Sequence, residues 1–195
     1  MHRLYIFDMG GVMCEQVDVA PLIAGKLGIR MDAFLKLADE EFDRLKIGAL
    51  SVREFWERVS AGLRRPVPVE YLGELFRPGC SSEMRDLVLA LKRSGARAVV
   101  GSDTIEPHYQ VHLRLGHYDV FDALYLSCRI GVAKPDPEFY RRILRSEGRR
   151  PEETVFIDDR EPNVAAAANL GIRAIHFQGS EDLRRRIVEI EGGEL

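Results

Sequence analysis

The chain has 195 residues, 46% of them hydrophobic, with 28 Lys and Arg against 31 Asp and Glu for a formal net charge of -3. That length suits one domain plus an insertion with a sizeable core. Neither sign of charge dominates, so nothing marks a nucleic-acid or anionic-membrane surface, and a small molecule is the expected partner. Cys14, Cys80 and Cys128 form an odd, widely spaced set. It fits a reducing, cytoplasmic setting and argues against a disulfide framework or a cysteine-based zinc site.

The first element is the run LYIF, too short for a signal peptide or membrane span, which leads straight into the turn Asp8-Met9-Gly10-Gly11 and reads as a strand. Residues 16–79 follow a different pattern. Phe34, Leu37, Ala38 and Phe42, then Phe55, Trp56 and Val59, recur at helical spacing with no strand-like run, and Pro66, Pro68 and Pro78 mark breaks. Ser81-Ser82 supplies N-cap chemistry for the helix EMRDLVLALKRSG. From residue 97, RAVV, a helical stretch from Ile105 to Leu115, ALYLS, Pro137 to Arg145, TVFI, RAIHF and a charged last helix alternate. Such alternation predicts a parallel sheet with helices on both faces. The expected fold is a doubly wound five-stranded α/β domain, residues 1–15 and 80–195, with a small α-helical cap inserted over 16–79. His108 and His112 share a helical spacing with His117 nearby, but they read as an exposed helix face because no Cys or carboxylate completes a zinc pattern. Arg184 to Arg186 read as a solvated face, and the run Ala165 to Ala168 as a helix lying close to the sheet, ended by Gly171.

Polar residues collect at three strand ends: Asp8, then Ser102-Asp103-Thr104, then Asp158-Asp159. Any one alone is ordinary, because Asp and Ser end strands and cap helices by bonding nearby N–H groups. Together, at the carboxyl edge of a parallel sheet, they sit where such folds bind ligands. Asp8, Asp103, Asp158 and Asp159 would repel one another by about 4 kcal/mol per pair at 4 Å with an effective dielectric near 20, which calls for a cation. Oxygen ligands that leave room for an anion suit Mg2+. Lys134 in GVAKPDP is a second cation on a proline-stiffened loop, and a helix beginning near Pro137 would offer free N–H groups to the same region. The alternative for Lys134 is a solvated loop lysine.

FDMGGV, the strand-end Ser102, GVAKPDPEFYRRIL and VFIDDREPNVAAAANLGI resemble, in order, the four motifs of the haloacid-dehalogenase superfamily over nearly the whole sheet domain. In outline the chain is most similar to the branch containing the α-D-glucose-1-phosphate phosphatases, with a helical cap between the first two motifs. The resemblance implies a 5-4-1-2-3 strand order and hydrolysis of a small phosphorylated metabolite, with no oligomer implied and a monomer as the default. Asp8 would be the nucleophile that becomes an aspartyl-phosphate. Ser102 and Lys134 would hold phosphoryl oxygens with Asp103 beside them. Asp8, the Gly10 carbonyl and Asp158 would hold Mg2+, with Asp159 acting from behind. A carboxylate nucleophile splits hydrolysis into two displacements while cations offset charge on the transferring group.

Two positions depart from the pattern. Gly10 stands where phosphatases of this superfamily usually carry an Asp that protonates the leaving oxygen, help worth roughly a hundred- to ten-thousand-fold. Glu15 and Asp18 are the nearest substitutes by sequence. Asp103 stands where Asn is common and adds negative charge beside an anion site. Three other readings remain. A haloacid dehalogenase also lacks the second Asp but lacks the paired acids at Asp158-Asp159 as well. A phosphonoacetaldehyde hydrolase would need a cap lysine such as Lys26, Lys36 or Lys46. A catalytically silent module would keep Asp8, Lys134 and the metal site to sense a phosphorylated ligand.

Overall fold

A computed structural model describes residues 3–193. The main sheet is parallel, and its order follows from β1 (Leu4–Phe7) lying at its centre. Leu4 pairs with Arg97 of β4 (Arg97–Ser102) on one side and with Thr154 of β6 (Thr154–Asp158) on the other. With β5 (Ala123–Leu126) and β7 (Arg173–His176) at the edges, the order is β5-β4-β1-β6-β7. Counting these five strands along the chain, this is the expected 5-4-1-2-3 arrangement. The run LYIF is buried throughout because both faces of the sheet are covered. Its side chains alternate: Tyr5 and Phe7 join the core beneath α5 (Ser82–Arg93) and α10 (Ser180–Glu191), while Leu4 and Ile6 join that beneath α8 (Pro137–Glu147). Ala167, in α9 (Glu161–Ala168), is the buried member of the alanine run, and Gly171 turns the chain at φ +85° two residues after that helix's C-cap, Asn169.

The segment between β1 and β4 leaves and re-enters the sheet domain through a two-stranded antiparallel ribbon, β2 (Cys14–Glu15) and β3 (Gly79–Cys80). Between these strands lie α1 (Ala20–Leu27), α2 (Met31–Lys46), α3 (Val52–Leu63) and α4 (Tyr71–Glu74). They pack around Phe34, Ala38, Phe55, Trp56 and Val59, a hydrophobic cluster of their own. The third helix starts on a capping box, with Ser51 accepting from Glu54 N at 3.2 Å and Glu54 accepting from Ser51 N at 2.9 Å. Among the described residues no helix is long and apolar enough to cross a membrane.

Two sequence expectations fail at the ribbon. Cys14 and Cys80 are not remote: they face each other across β2 and β3 with Cα atoms 4.0 Å apart and their sulfurs joined. The histidines are not an exposed face either. On α6 (Glu106–Arg114), His112 is 3% exposed and His108 stacks on Phe76 with ring centroids 3.8 Å apart. Both errors share a cause, since a two-residue ribbon carries no hydrophobic periodicity and nothing in the spacing shows that the neck folds against α6. The short helix α7 (Ser127–Ile130) was likewise unmarked.

Candidate active site

At the carboxyl edge of the sheet, β1 lies where the strand order turns back on itself, so its end opens into the crevice flanked by β4 and β6. Asp8 is the first residue beyond β1, tied to its neighbour strand by its N–H donating to Ile157 O at 3.0 Å. A tight turn follows, with Met13 N donating to Met9 O at 2.9 Å and Gly11 N to Cys14 O at 2.8 Å. Gly11 has φ +78°, and a Cβ there would strike the Asp159 carboxylate, so only glycine fits. Gly10 is not among the left-handed glycines; its added Cβ would meet Val17 Cγ2 at 3.2 Å.

Lys134 comes from the loop between α7 and α8 and is held at both ends. Its backbone N–H donates to Asp103 Oδ1 at 2.9 Å. Its Nζ lies 2.8 Å from Asp8 Oδ1 and donates to Asp158 Oδ2 at 2.7 Å and to Gly101 O at 3.0 Å. The lysine side chain is 1% exposed, so the solvated-loop reading is excluded. Asp158 ends β6 fully buried, and both of its oxygens are occupied: Asn163 Nδ2 donates to them at 2.9 and 3.1 Å, and Arg160 N donates to Oδ1 at 2.9 Å. Sequence reasoning assigned no role to Asn163. The available signal was its place five residues after Asp158, in the first turn of α9, from which its amide folds back onto the strand end.

Burial pushes the Asp8 carboxyl up to about 6, with Lys134 pulling against the shift and Asp158 adding to it. For Lys134, burial pulls downward, but Asp8, Asp158 and Asp103 outweigh it and hold the ammonium above the usual lysine range. Burial also raises Asp103, against the pull of Lys134. One lysine thus faces three carboxylates, and a fourth, Asp159, lies exposed at the cleft mouth. Oxygens of Asp8, Asp158 and Asp159 fall within 4.8 Å of one another, a donor set of hard ligands with unbalanced negative charge that fits a divalent cation. Of the two neighbouring acids, Asp159 has the less committed carboxylate.

The cleft, about 270 Å3, is lined by Asp8, Gly10, Asp103, Lys134, Asp159 and Asn163 among others. Ser102 is 3% exposed, is not part of that lining, and makes one long contact from its Oγ to Asp103 O at 3.4 Å. A second cavity of about 310 Å3 shares Val17 and Asp103 with the cleft and is walled by Val19, Leu35, Phe42 and Ile105, with Asp18, Lys46 and His108 at its polar points. Asp18 Oδ1 accepts from Ala20 N at 2.9 Å, at the start of α1, and Lys46 Nζ pairs with Asp43 at 2.8 Å. Glu15, exposed on β2, lines neither space.

A family model described as haloacid dehalogenase-like hydrolase matches residues 2–171. The chain belongs to this hydrolase family. Among its relatives is a sesquiterpene phosphatase of Aspergillus oryzae, 28% identical, with 90% of this chain and 89% of the relative aligned. Another is a D-ribitol-5-phosphate phosphatase of Bacteroides thetaiotaomicron, 27% identical, covering 97% of this chain and 98% of the relative. The solved structure of a haloacid dehalogenase family enzyme from Bacteroides thetaiotaomicron superposes with a TM-score of 0.83 at 24% identity, covering 95% of this chain and 98% of that one. As a haloacid dehalogenase-like hydrolase, the chain has Asp8 just beyond the central strand, with Lys134 paired to both Asp8 and Asp158.

Proposed function

We propose that the chain is a Mg2+-dependent phosphomonoesterase that hydrolyses a small phosphorylated metabolite through an aspartyl-phosphate on Asp8. The observation that carries this reading is the Lys134 ammonium set between Asp8 and Asp158 at a cleft ringed by carboxylates. Phosphatase relatives aligned over nearly their whole length support it, as does a structural neighbour solved with magnesium and inorganic phosphate.

Asp8, the Gly10 carbonyl, Asp159 and Asp158 would hold the metal, which when bound supplies positive charge against the carboxylates and the phosphoryl oxygens. An Asp8 oxygen attacks phosphorus, the ester P–O bond breaks, and the alcohol oxygen leaves with a proton. Water then attacks the phosphorus of the acyl phosphate, releasing inorganic phosphate and restoring the carboxylate. Lys134 holds phosphoryl oxygens; Ser102, buried and outside the cleft lining, reaches them only if its Oγ turns away from Asp103 O. Asp103, which lines both the cleft and the second cavity, takes the role of the missing acid at Gly10 and passes a proton to the leaving oxygen. Asp18 lines the second cavity but not the cleft. Residues 16–79 act as a cap, and the wall formed by Val19, Leu35, Phe42 and Ile105 selects a leaving group with an apolar face.

The test is a turnover screen of the purified protein over prenyl, sugar, aryl and acyl phosphates, with and without Mg2+. Metal-dependent release of phosphate, strongest for leaving groups with an apolar face, is expected. Binding of Mg2+ and phosphate with no turnover of any substrate would replace the enzyme with a silent binding module.

A further inference from the structure

A second constellation of metal-ligating side chains lies at the neck of the molecule, outside the carboxylate cleft. Cys14 on β2 and Cys80 on β3 face each other, and the imidazoles of His112, near the end of α6, and His117, just beyond it, converge on them. The ligand atoms of all four lie within 4.8 Å of one another. His112 Nδ1 is 2.9 Å from His117 Nδ1, and Cys14 Sγ is 3.9 Å from His117 Nδ1. Cys14 is 1% exposed and His112 3%.

From this geometry we infer that the dithiol form of the protein binds a zinc ion through Cys14, Cys80, His112 and His117. Two thiolates and two neutral imidazoles are a donor set of closed, tetrahedral, structural zinc sites. With Zn–S near 2.3 Å and Zn–N near 2.0–2.1 Å, such a tetrahedron has nitrogen–nitrogen edges of about 3.3 Å and sulfur–nitrogen edges of about 3.5 Å. The observed 2.9 and 3.9 Å lie within about half an ångström of these. The sulfurs, joined in this structure, must part to about 3.8 Å. Disulfide and zinc are therefore mutually exclusive. A dithiol reductant delivers the two electrons and two protons that open the S–S bond, and those two protons leave as the thiolates take the metal.

The ligands explain what the ion would do. Cys14 and Cys80 sit on the two strands by which the chain leaves for the helical insertion and returns, whereas His112 and His117 belong to the sheet domain. Zinc there fastens the neck of the insertion to α6 and so fixes the insertion over the cleft. With four protein ligands the ion has no open position for substrate and acts as a structural tie.

The experiment is elemental analysis of the full chain purified under a thiol reductant, with thiol titration in parallel. One zinc per chain that survives gel filtration is expected, falling to background in Cys80→Ser and in His117→Gln. Cobalt(II) loaded into the metal-free wild type should show the visible bands of a tetrahedral thiolate site, a readout that needs no variant to fold. Three titratable thiols with no bound zinc, or a Cys14–Cys80 disulfide that persists under reductant, would overturn the proposal. So would zinc retained by both variants, because the metal would then lie elsewhere.

Discussion

The strand-end cleft and the helical insertion are stabilised in opposite ways. The insertion is held by ordinary burial of aromatic side chains: Phe42 lies 5.0 Å from Phe55, and Phe55 lies 5.0 Å from Trp56, centroid to centroid. The cleft instead gathers Asp8, Asp103 and Asp158 around a single buried ammonium, and burial lifts the Asp8 carboxyl to about 6. A folded protein does not collect like charges for stability's sake. Removing a charge from the cleft should therefore abolish chemistry while relieving the fold. Removing a ring from the insertion should weaken the fold and leave the chemistry in place.

The most severe test is Asp8→Asn. Turnover should fall by a factor on the order of ten thousand or more, as it does when a nucleophile is lost. Without metal, the same variant should be the more stable protein at neutral pH. Because the folded pKa of Asp8 lies above its unfolded value, protonation favours the folded state. That contribution is complete below about pH 4 and is lost as pH rises through about 6. The variant does not titrate there, so its advantage should grow over that window to on the order of 3 kcal/mol and shrink when Mg2+ is added to the wild type. Thermal melts at pH 4 and pH 7.5 measure it; equal melting temperatures at both pH values would show that the cleft is not electrostatically strained.

The opposite arm is Phe55→Ala, at a ring that is fully buried in the insertion. Large-to-small changes of this kind cost about 3–5 kcal/mol, or roughly 10 °C in melting temperature for a chain of this size. Below the new transition, kcat on a small aryl phosphate should stay within about twofold of wild type. A collapse of kcat with intact secondary structure would mean that the two regions are not separable.

The contrast also explains what could be read from the sequence. The sheet was legible because LYIF, RAVV and TVFI are short apolar runs set between helical stretches, and the cleft because acids stand at the ends of three of its strands. Both signals are local. The insertion's helices were legible by period alone, but the cavity they wall was not, because Val19, Leu35, Phe42 and Ile105 meet only after separate elements pack. Asp103 read as an unwelcome charge until its carboxylate was seen accepting the backbone N–H of Lys134, thirty-one residues away. The Cys14–Cys80 pairing spans 66 residues and a two-residue ribbon, with no periodicity to announce it.

A smaller effect is expected where the two regions meet. Phe42 is part-buried on the wall of the second cavity. Phe42→Ala should raise KM for substrates with apolar leaving groups by about ten- to a hundredfold while leaving acetyl phosphate nearly unaffected, because lost apolar contact in a pocket is worth about 1–3 kcal/mol. Equal losses on both substrates would remove the cavity from substrate recognition.

The smallest expected change concerns Gly10. With glycine there, the leaving oxygen lacks the usual acid beside the nucleophile, so rates should rise as the leaving group becomes less basic, acyl and aryl phosphates leading and alkyl phosphates trailing. Gly10→Asp should flatten that slope by adding a second acid. Its backbone is not left-handed, so the obstacle is the added Cβ against Val17 Cγ2 at 3.2 Å, which a part-buried valine must yield by a few tenths of an ångström. Gly10→Asp combined with Val17→Ala removes that contact and separates a steric failure from a chemical one. Asp103→Asn tests the proposed acid from the other side: it keeps the shape while withdrawing the carboxyl proton, so alkyl phosphates should lose several-fold more rate than acyl phosphates. Uniform losses across leaving groups in Asp103→Asn would mean that this carboxyl only positions the Lys134 loop, and the proton would then have to come from Asp18 or from solvent.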